Sequence, residues 1–118
     1  MEPLKVFAQA IDASTQLVEL HGEIDLYTAP EFRTSLGPYI ENGPETLVIS
    51  LEHVAYVDSS GLSVLLEVHR RLTARNASLL IVCTHPQTMK VFTITGLIRV
   101  LRVHASLDEA LQAAAAQS

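Results

Sequence analysis

Continuous apolar runs constrain the fold of this chain more than any other feature. Residues 46–51 (TLVISL) and 79–84 (LLIVCT) show little of the polar–apolar alternation that a strand with one wet face would have. Such runs are typical of strands covered on both faces, as in parallel sheets flanked by helices. Because apolar residues recur at helical spacing between the runs, the chain is expected to be an α/β protein.

Two shorter strands are predicted before the first run. Residues 4–10 and 16–21 are rich in apolar residues, and the turn-forming residues 12–15 lie between them. An antiparallel hairpin is therefore expected at an edge of the sheet. Residues 22–25 (GEID) follow as a loop or a short strand extension.

The first helix is expected to begin near Pro30. Thr28 suits the N-cap position and Glu31 lies three residues later, which is the pattern of a capping box. An apolar stripe at i, i+4 and i+8 follows, formed by Phe32, Leu36 and Ile40. Gly37-Pro38 interrupts the stripe and predicts a kink or break.

A long helix is predicted in the middle of the chain. A turn at 52–53 is expected to separate the run 46–51 from a short segment, 54–57, and the helix then covers about 60–75. Its predicted inner face consists of Leu62, Leu65, Leu66, His69 and Leu72.

The C-terminal third continues the alternation of strands and helices. After the run at 79–84, Pro86 opens a third helix that Gly96 ends. Residues 100–104 predict a last strand, and a second capping box at 106–109 opens the last helix.

The predicted order of elements is β-β-α-β-α-β-α-β-α. Such alternation requires a mixed, mostly parallel sheet with crossover helices, to which the initial hairpin adds an antiparallel edge. With no repeat or linker visible, residues 1–118 are expected to form a single domain whose core spans about 4–112.

Composition excludes several classes of function. The formal net charge is −5 and no cluster of Lys or Arg exists, which argues against binding to nucleic acid or to an anionic membrane surface. Cys83 is the one cysteine, so no intrachain disulfide can form, and it is expected to be a buried core residue. No signal peptide or membrane span is visible, and a cytoplasmic protein is expected.

Common enzyme motifs are missing from the sequence. It contains no G-x-G-x-x-G, no G-x-x-x-x-G-K-[ST], no G-x-S-x-G and no H-E-x-x-H. The five histidines are scattered, and none has metal-ligand spacing to a second histidine or to Cys83. We therefore expect no enzyme, cofactor or metal site.

The segment Asp58-Ser59-Ser60-Gly61 carries the most information about function. It lies where a predicted strand passes into a helix N-terminus, at the sheet edge where sites form in α/β proteins. Plain helix capping by Ser or Asp would explain most of it. A glycine in the first turn costs about 1 kcal/mol relative to alanine, so Gly61 suggests close approach by another molecule. A phosphate on a Ser hydroxyl here would meet the positive end of the helix dipole.

A family resemblance strengthens the functional interpretation. Residues 54–62 (VAYVDSSGL) resemble the phosphorylation-site signature of STAS-domain anti-sigma factor antagonists. Gly22-Glu23-Ile24-Asp25, followed by Thr28, resembles the "GELD" loop of that family, and 95–97 (TGL) resembles its C-terminal part. The resemblance extends from about residue 4 to 111 and implies a single STAS domain.

The resemblance implies a partner-switching cycle. The unmodified protein would bind an anti-sigma factor and so free a sigma factor. The anti-sigma factor is also a serine kinase, which would phosphorylate Ser59 and end the complex, and a PP2C-type phosphatase would reset it. The partner-binding residues implied are Gly22, Glu23, Asp25, Thr28, Asp58, Ser60 and Gly61, with Ser60 capping the helix.

Asp25 is expected to belong to this docking surface and not to the core. Ile24 should be buried, so strand alternation turns Asp25 outward. On this interpretation Asp25→Ala leaves the melting temperature nearly unchanged.

Two other functions stay open. One is a STAS subunit of a different complex, such as a lipid-transport or stress-signalling assembly. The other is a serine hydrolase with Ser59 as nucleophile and His53 or His85 as base, although the nucleophile elbow motif is missing.

Overall fold

The structure, a computed structural model, describes residues 3–116 and has the predicted order of elements. The elements are β1 (Lys5–Ala10), β2 (Thr15–Ile24), α1 (Ala29–Ile40), β3 (Thr46–Val57), α2 (Ser59–Ala74), β4 (Ser78–Val82), α3 (Pro86–Ile94), a 3₁₀ turn (Leu97–Arg99), β5 (Arg102–His104) and α4 (Leu107–Ala116).

The five strands form one sheet in the order β1-β2-β3-β4-β5. β1 and β2 are antiparallel, and the other three pairings are parallel. This confirms a mixed, mostly parallel sheet with an antiparallel edge. Because parallel strands end at the same edge, the residues that follow β2 and β3 come together there.

Helices cover both faces of the sheet, but unequally. α1, α2 and α3 bury one face in a large cluster that includes Phe32, Leu65 and Phe92. α4 covers the other face with a smaller cluster of Leu17, Val48, Leu80, Val82, Ala110 and Ala114. β1 lies at the sheet edge, and Phe7 on it is 52% exposed. The second face is therefore covered at Val48 of β3 and at β4, and it is open towards β1.

Helix α1 differs from the sequence prediction in two ways. It continues through Pro38 to Ile40, so the predicted break is absent; the stripe of Phe32, Leu36 and Ile40 is fully buried and holds the last turn in place. The predicted capping box is also absent. Thr28 has helical backbone angles, φ −96° and ψ −15°, and its hydroxyl makes no cap bond. A capping residue needs extended angles to direct its oxygen at the helix N–H groups.

Strand β3 also differs from the prediction. The turn expected at 52–53 is a β-bulge inside one continuous strand. Leu51 and Val54 both pack into the large cluster, so two residues, not one, lie between successive inward side chains. A bulge of this kind lets the strand keep its pairing while it changes which residues face each side.

The inner face of α2 was only partly predicted. Leu62, Leu65 and Leu72 are buried as expected, but Val64 and Val68 are buried in place of Leu66 and His69, which are half-buried. At the far end of this helix the Arg75 guanidinium donates to the carbonyls of Tyr39, Ile40 and Pro44 at 2.8–2.9 Å. These bonds satisfy two carbonyls in the last turn of α1 and one in the loop that follows it.

Within residues 3–116, no helix has both the length and the apolar character needed to cross a bilayer.

Candidate functional site at the carboxyl edge of the sheet

Asp58 organises the edge at which β2 and β3 end. One carboxylate oxygen accepts hydrogen bonds from the backbone N–H groups of Ser60, at 2.8 Å, and Gly61, at 3.2 Å. The other oxygen accepts from the N–H of Leu26 at 3.1 Å. Asp58 is therefore the N-cap of α2 and also ties the loop after β2 to it. The prediction that Ser60 caps this helix is wrong, because Asp58 has the extended backbone, φ −97° and ψ −172°, that capping requires.

Ser59 is the first residue of α2 and is exposed. Its carbonyl accepts a hydrogen bond from the Ser63 hydroxyl at 3.0 Å. Among the hydrogen bonds of residues 3–116, none involves the Ser59 side chain. Its hydroxyl is thus held at the positive end of a 16-residue helix and is open to an incoming group.

Gly61 has a different role from the one predicted. It is buried, and a Cβ atom at this position would lie 2.7 Å from Ile24 Cγ2 and 2.8 Å from Val57 Cγ1. The close approach that requires glycine comes from the ends of β2 and β3 and not from another molecule. Gly61 therefore supports the site from beneath by letting α2 start close against the sheet.

The loop at 25–28 is held together by its own polar groups. The Asp25 carboxylate accepts from the N–H groups of Tyr27, at 2.9 Å, and Thr28, at 3.0 Å. The Thr28 hydroxyl donates to the Glu23 carbonyl at 2.8 Å and accepts from the Asp25 N–H at 2.9 Å. Gly22, at the start of this region, has φ +123°, which side-chain-bearing residues rarely adopt.

These contacts favour a structural role for Asp25 in addition to the predicted docking role. Its carboxylate is half-buried and bonded within the loop, so it does not project freely. Asp25→Ala should lower the free energy of unfolding by about 1 kcal/mol, as for the loss of a capping carboxylate. Urea denaturation measures this, with Asp25→Asn as the matched variant that keeps the accepting oxygen. An unchanged unfolding midpoint for Asp25→Ala would mean that the Asp25 carboxylate serves docking alone and does not stabilise the fold.

Two exposed apolar side chains that were not predicted lie on the loop whose Leu26 N–H bonds to Asp58. Leu26 is 67% exposed and Tyr27 is 77% exposed. Leu26, Arg33 and Ser60 line a shallow groove between the starts of α1 and α2. The signal in the sequence was a Leu-Tyr pair placed between polar loop residues. Two large apolar side chains that are adjacent in the chain and both exposed make this loop a candidate contact surface.

Among residues 3–116, no hydrogen bond joins the Ser59 hydroxyl to a histidine or carboxylate that could act as a catalytic base. His53, one of the two histidines considered for that role, instead has Nε2 at 3.1 Å from Glu19.

Cys83 is buried as expected, and burial raises the pKa of its thiol above the ordinary value.

A model of one protein family matches residues 9–110, and that family is described as the STAS domain. The chain belongs to the STAS domain family. This agrees with the resemblance found in residues 22–28 and 54–62 and with the order of elements in the structure.

Known STAS proteins similar to this chain include regulators of sigma factors. The anti-sigma-B factor antagonist of Bacillus subtilis is 34% identical over 95 residues, which cover 80% of this chain and 86% of that protein. The crystal structure of an anti-sigma factor antagonist from Mycobacterium paratuberculosis superimposes with a TM-score of 0.87 at 29% identity, covering 93% of this chain and 92% of that one. The STAS domain of a SulP transporter from Vibrio cholerae has the same fold, with a TM-score of 0.70 at 20% identity over 92% of this chain and 86% of that one.

Proposed function

We propose that this STAS protein is an anti-sigma factor antagonist whose binding is switched off by phosphorylation of Ser59. The observation that carries the proposal is the exposed Ser59 hydroxyl at the start of α2, next to the loop that Asp58 holds in place. The similarity to antagonists from Bacillus and Mycobacterium supports it. The family is regulatory, and we infer that the protein itself is not an enzyme.

The proposed partner is an anti-sigma factor with serine-kinase activity. The unmodified protein binds it in the cytoplasm and frees a sigma factor, without touching nucleic acid or membrane. In the complex the Ser59 oxygen attacks the γ-phosphorus of ATP, the bond to ADP breaks, and a base of the kinase takes the hydroxyl proton. A PP2C-type phosphatase later hydrolyses the phosphoserine.

The structure suggests how the proposed contact surface is divided. Glu23, Leu26, Tyr27 and Ser59 are exposed and available for contact. The other residues of the predicted surface act mainly by shaping it: Gly22, Asp25, Thr28 and Asp58 through the loop bonds, and Gly61 through packing. Ser60 borders the groove beside Leu26.

The charge of a phosphate on Ser59 is enough, on this proposal, to switch partner binding off. A phosphoserine adds about −1.5 to −2 charges at neutral pH. In the free protein the helix dipole favours this charge by about 0.3–1 kcal/mol, while Asp58 next to it opposes it, so the fold tolerates the group. In the complex the phosphate must be desolvated against groups arranged for a hydroxyl, and a buried unpaired charge costs several kcal/mol.

Ser59, and not Ser60, is the expected acceptor. Ser59 is exposed, whereas Ser60 is half-buried and its backbone N–H is bonded to Asp58. Phosphopeptide mapping after incubation with the cognate kinase and ATP should find the phosphate on Ser59. Ser59→Ala should abolish labelling and Ser60→Ala should retain it.

The same experiment has an internal control and a clear contrary outcome. Protein incubated with ATP but no kinase should stay unmodified, since the chain has no phosphate-binding loop. Phosphate found on Ser60 alone, or self-phosphorylation of Ser59 without kinase, would contradict the proposal.

A second candidate function is a STAS module within another assembly, such as a lipid-transport or stress-signalling complex. The STAS domain of the SulP transporter, which has the same fold, supports this second candidate. Affinity capture from the native host separates the two, with unmodified protein and Ser59→Asp as paired baits. The antagonist function predicts a kinase-like anti-sigma factor that Ser59→Asp loses, whereas the alternative predicts subunits that both baits retain.

A further inference from the structure

A cluster of metal-binding side chains lies away from the Ser59 site. Glu19 and His21 are on β2 and His53 is on the neighbouring strand β3. Their side chains are 34%, 39% and 53% exposed, respectively. They lie on the sheet face opposite to the large cluster and outside the smaller cluster that α4 buries. An ion could therefore reach them without any opening of the fold.

The bulge in β3 creates this cluster. Glu19 of β2 pairs with Ser50 of β3. His21 lies two residues after Glu19 but pairs with His53, which lies three residues after Ser50. Without the extra residue His21 would pair with Glu52, and strand alternation would turn His53 to the opposite face. Bulges are known to redirect side chains beside functional sites. The local irregularity thus brings together two histidines that are 32 residues apart in sequence.

The ligand atoms already have the spacing of a metal coordination sphere. His21 Nε2 and His53 Nε2 lie 3.2 and 3.1 Å from the same oxygen, Glu19 Oε1. The two imidazole rings stack with their centroids 4.4 Å apart and their planes at 23°. Metal–ligand bonds of 2.0–2.2 Å at a tetrahedral angle separate neighbouring ligand atoms by about 3.3 Å. All three ligand atoms lie within 4.8 Å of one another, so rotation of these partly exposed side chains can bring them onto one ion.

We propose that Glu19, His21 and His53 form a binding site for a divalent transition-metal ion such as Zn²⁺. Two imidazoles and one carboxylate suit Zn²⁺ and related ions, whereas Mg²⁺ and Ca²⁺ prefer oxygen ligands alone. A metal ion binds the lone pair of each Nε2 atom, so in the metal-bound form a neutral imidazole carries its hydrogen on Nδ1. Three protein ligands leave the fourth position of a tetrahedral ion open to water.

Isothermal titration with ZnCl₂ tests the site on the full-length, tag-free protein after treatment with a chelator. We expect one ion bound per chain and a rise in melting temperature with added Zn²⁺. His21→Ala, His53→Ala and Glu19→Gln should each weaken binding by about tenfold or more and reduce the thermal shift. MgCl₂ should give neither heat nor shift.

His69→Ala is the matched control, because His69 is a half-buried histidine on α2 outside the cluster. It should bind Zn²⁺ as the unaltered protein does. All variants are checked for an unchanged fold by circular dichroism before titration. The proposal is overturned if His21→Ala and His53→Ala bind as tightly as the unaltered protein, if His69→Ala loses binding, or if the stoichiometry is half an ion per chain, which would place the ligands on two molecules.

Discussion

Ser59→Asp is expected to weaken binding to the anti-sigma factor by more than 100-fold while the domain stays folded. The substitution places a carboxylate where the proposed partner would meet a hydroxyl. A loss of about 3 kcal/mol from an unpaired charge in the interface corresponds to a factor of more than 100 in affinity. The free domain should change little, because Ser59 is exposed and its side chain makes none of the hydrogen bonds that hold the edge of the sheet.

Ser59→Ala is the matched variant for this test. It removes the acceptor hydroxyl without adding charge, so it should bind the partner and stay bound in the presence of ATP. Binding isotherms give the affinities, and circular dichroism with thermal melting gives the state of the fold. If Ser59→Asp unfolds the domain, or binds as tightly as Ser59→Ala, the switch does not operate through local charge.

The order of elements was predictable because it depends on signals within short stretches of sequence. The apolar run at 46–51 is the first half of β3, most of the run at 79–84 lies in β4, and Gly96 follows the end of α3 with a φ of +78°. Predictions failed where a distant contact overrides a local preference. Pro38 would end an isolated helix, but the buried stripe of α1 keeps the helix continuous to Ile40.

In the candidate site, too, local features were predictable and contacts between distant residues were not. Its position was predictable, because Asp58–Gly61 joins an apolar strand to a helix. The bond from Asp58 to Leu26 spans 32 residues, and the packing of Gly61 against Ile24 depends on how β2 runs beside β3. The Glu19–His21–His53 cluster depends on the pairing of β2 with β3 and on a bulge. Strand register of this kind leaves no local signal in the sequence.

Asp58→Ala is expected to destabilise the domain by about 2 kcal/mol. The substitution removes the N-cap of α2, which is worth about 1 kcal/mol. It also removes the acceptor for the Leu26 N–H, a bond to a charged group that is worth a similar amount when partly exposed. Because that bond positions the loop that carries Leu26 and Tyr27, partner binding should weaken as well. Urea denaturation measures the first effect, and a binding isotherm at a temperature where both proteins are folded measures the second.

Asp58→Asn separates the two roles of this side chain. Its amide oxygen can still accept from Ser60 and Gly61, so the cap is kept, but its NH₂ group cannot accept from Leu26 in place of the second carboxylate oxygen. Asp58→Asn should therefore lose about half the stability that Asp58→Ala loses and should show most of the same weakening in partner binding. Equal destabilisation by the two variants would mean that the contact with Leu26 dominates the fold of this edge. Full partner binding by Asp58→Asn would show that the position of the loop at 25–28 does not depend on Asp58.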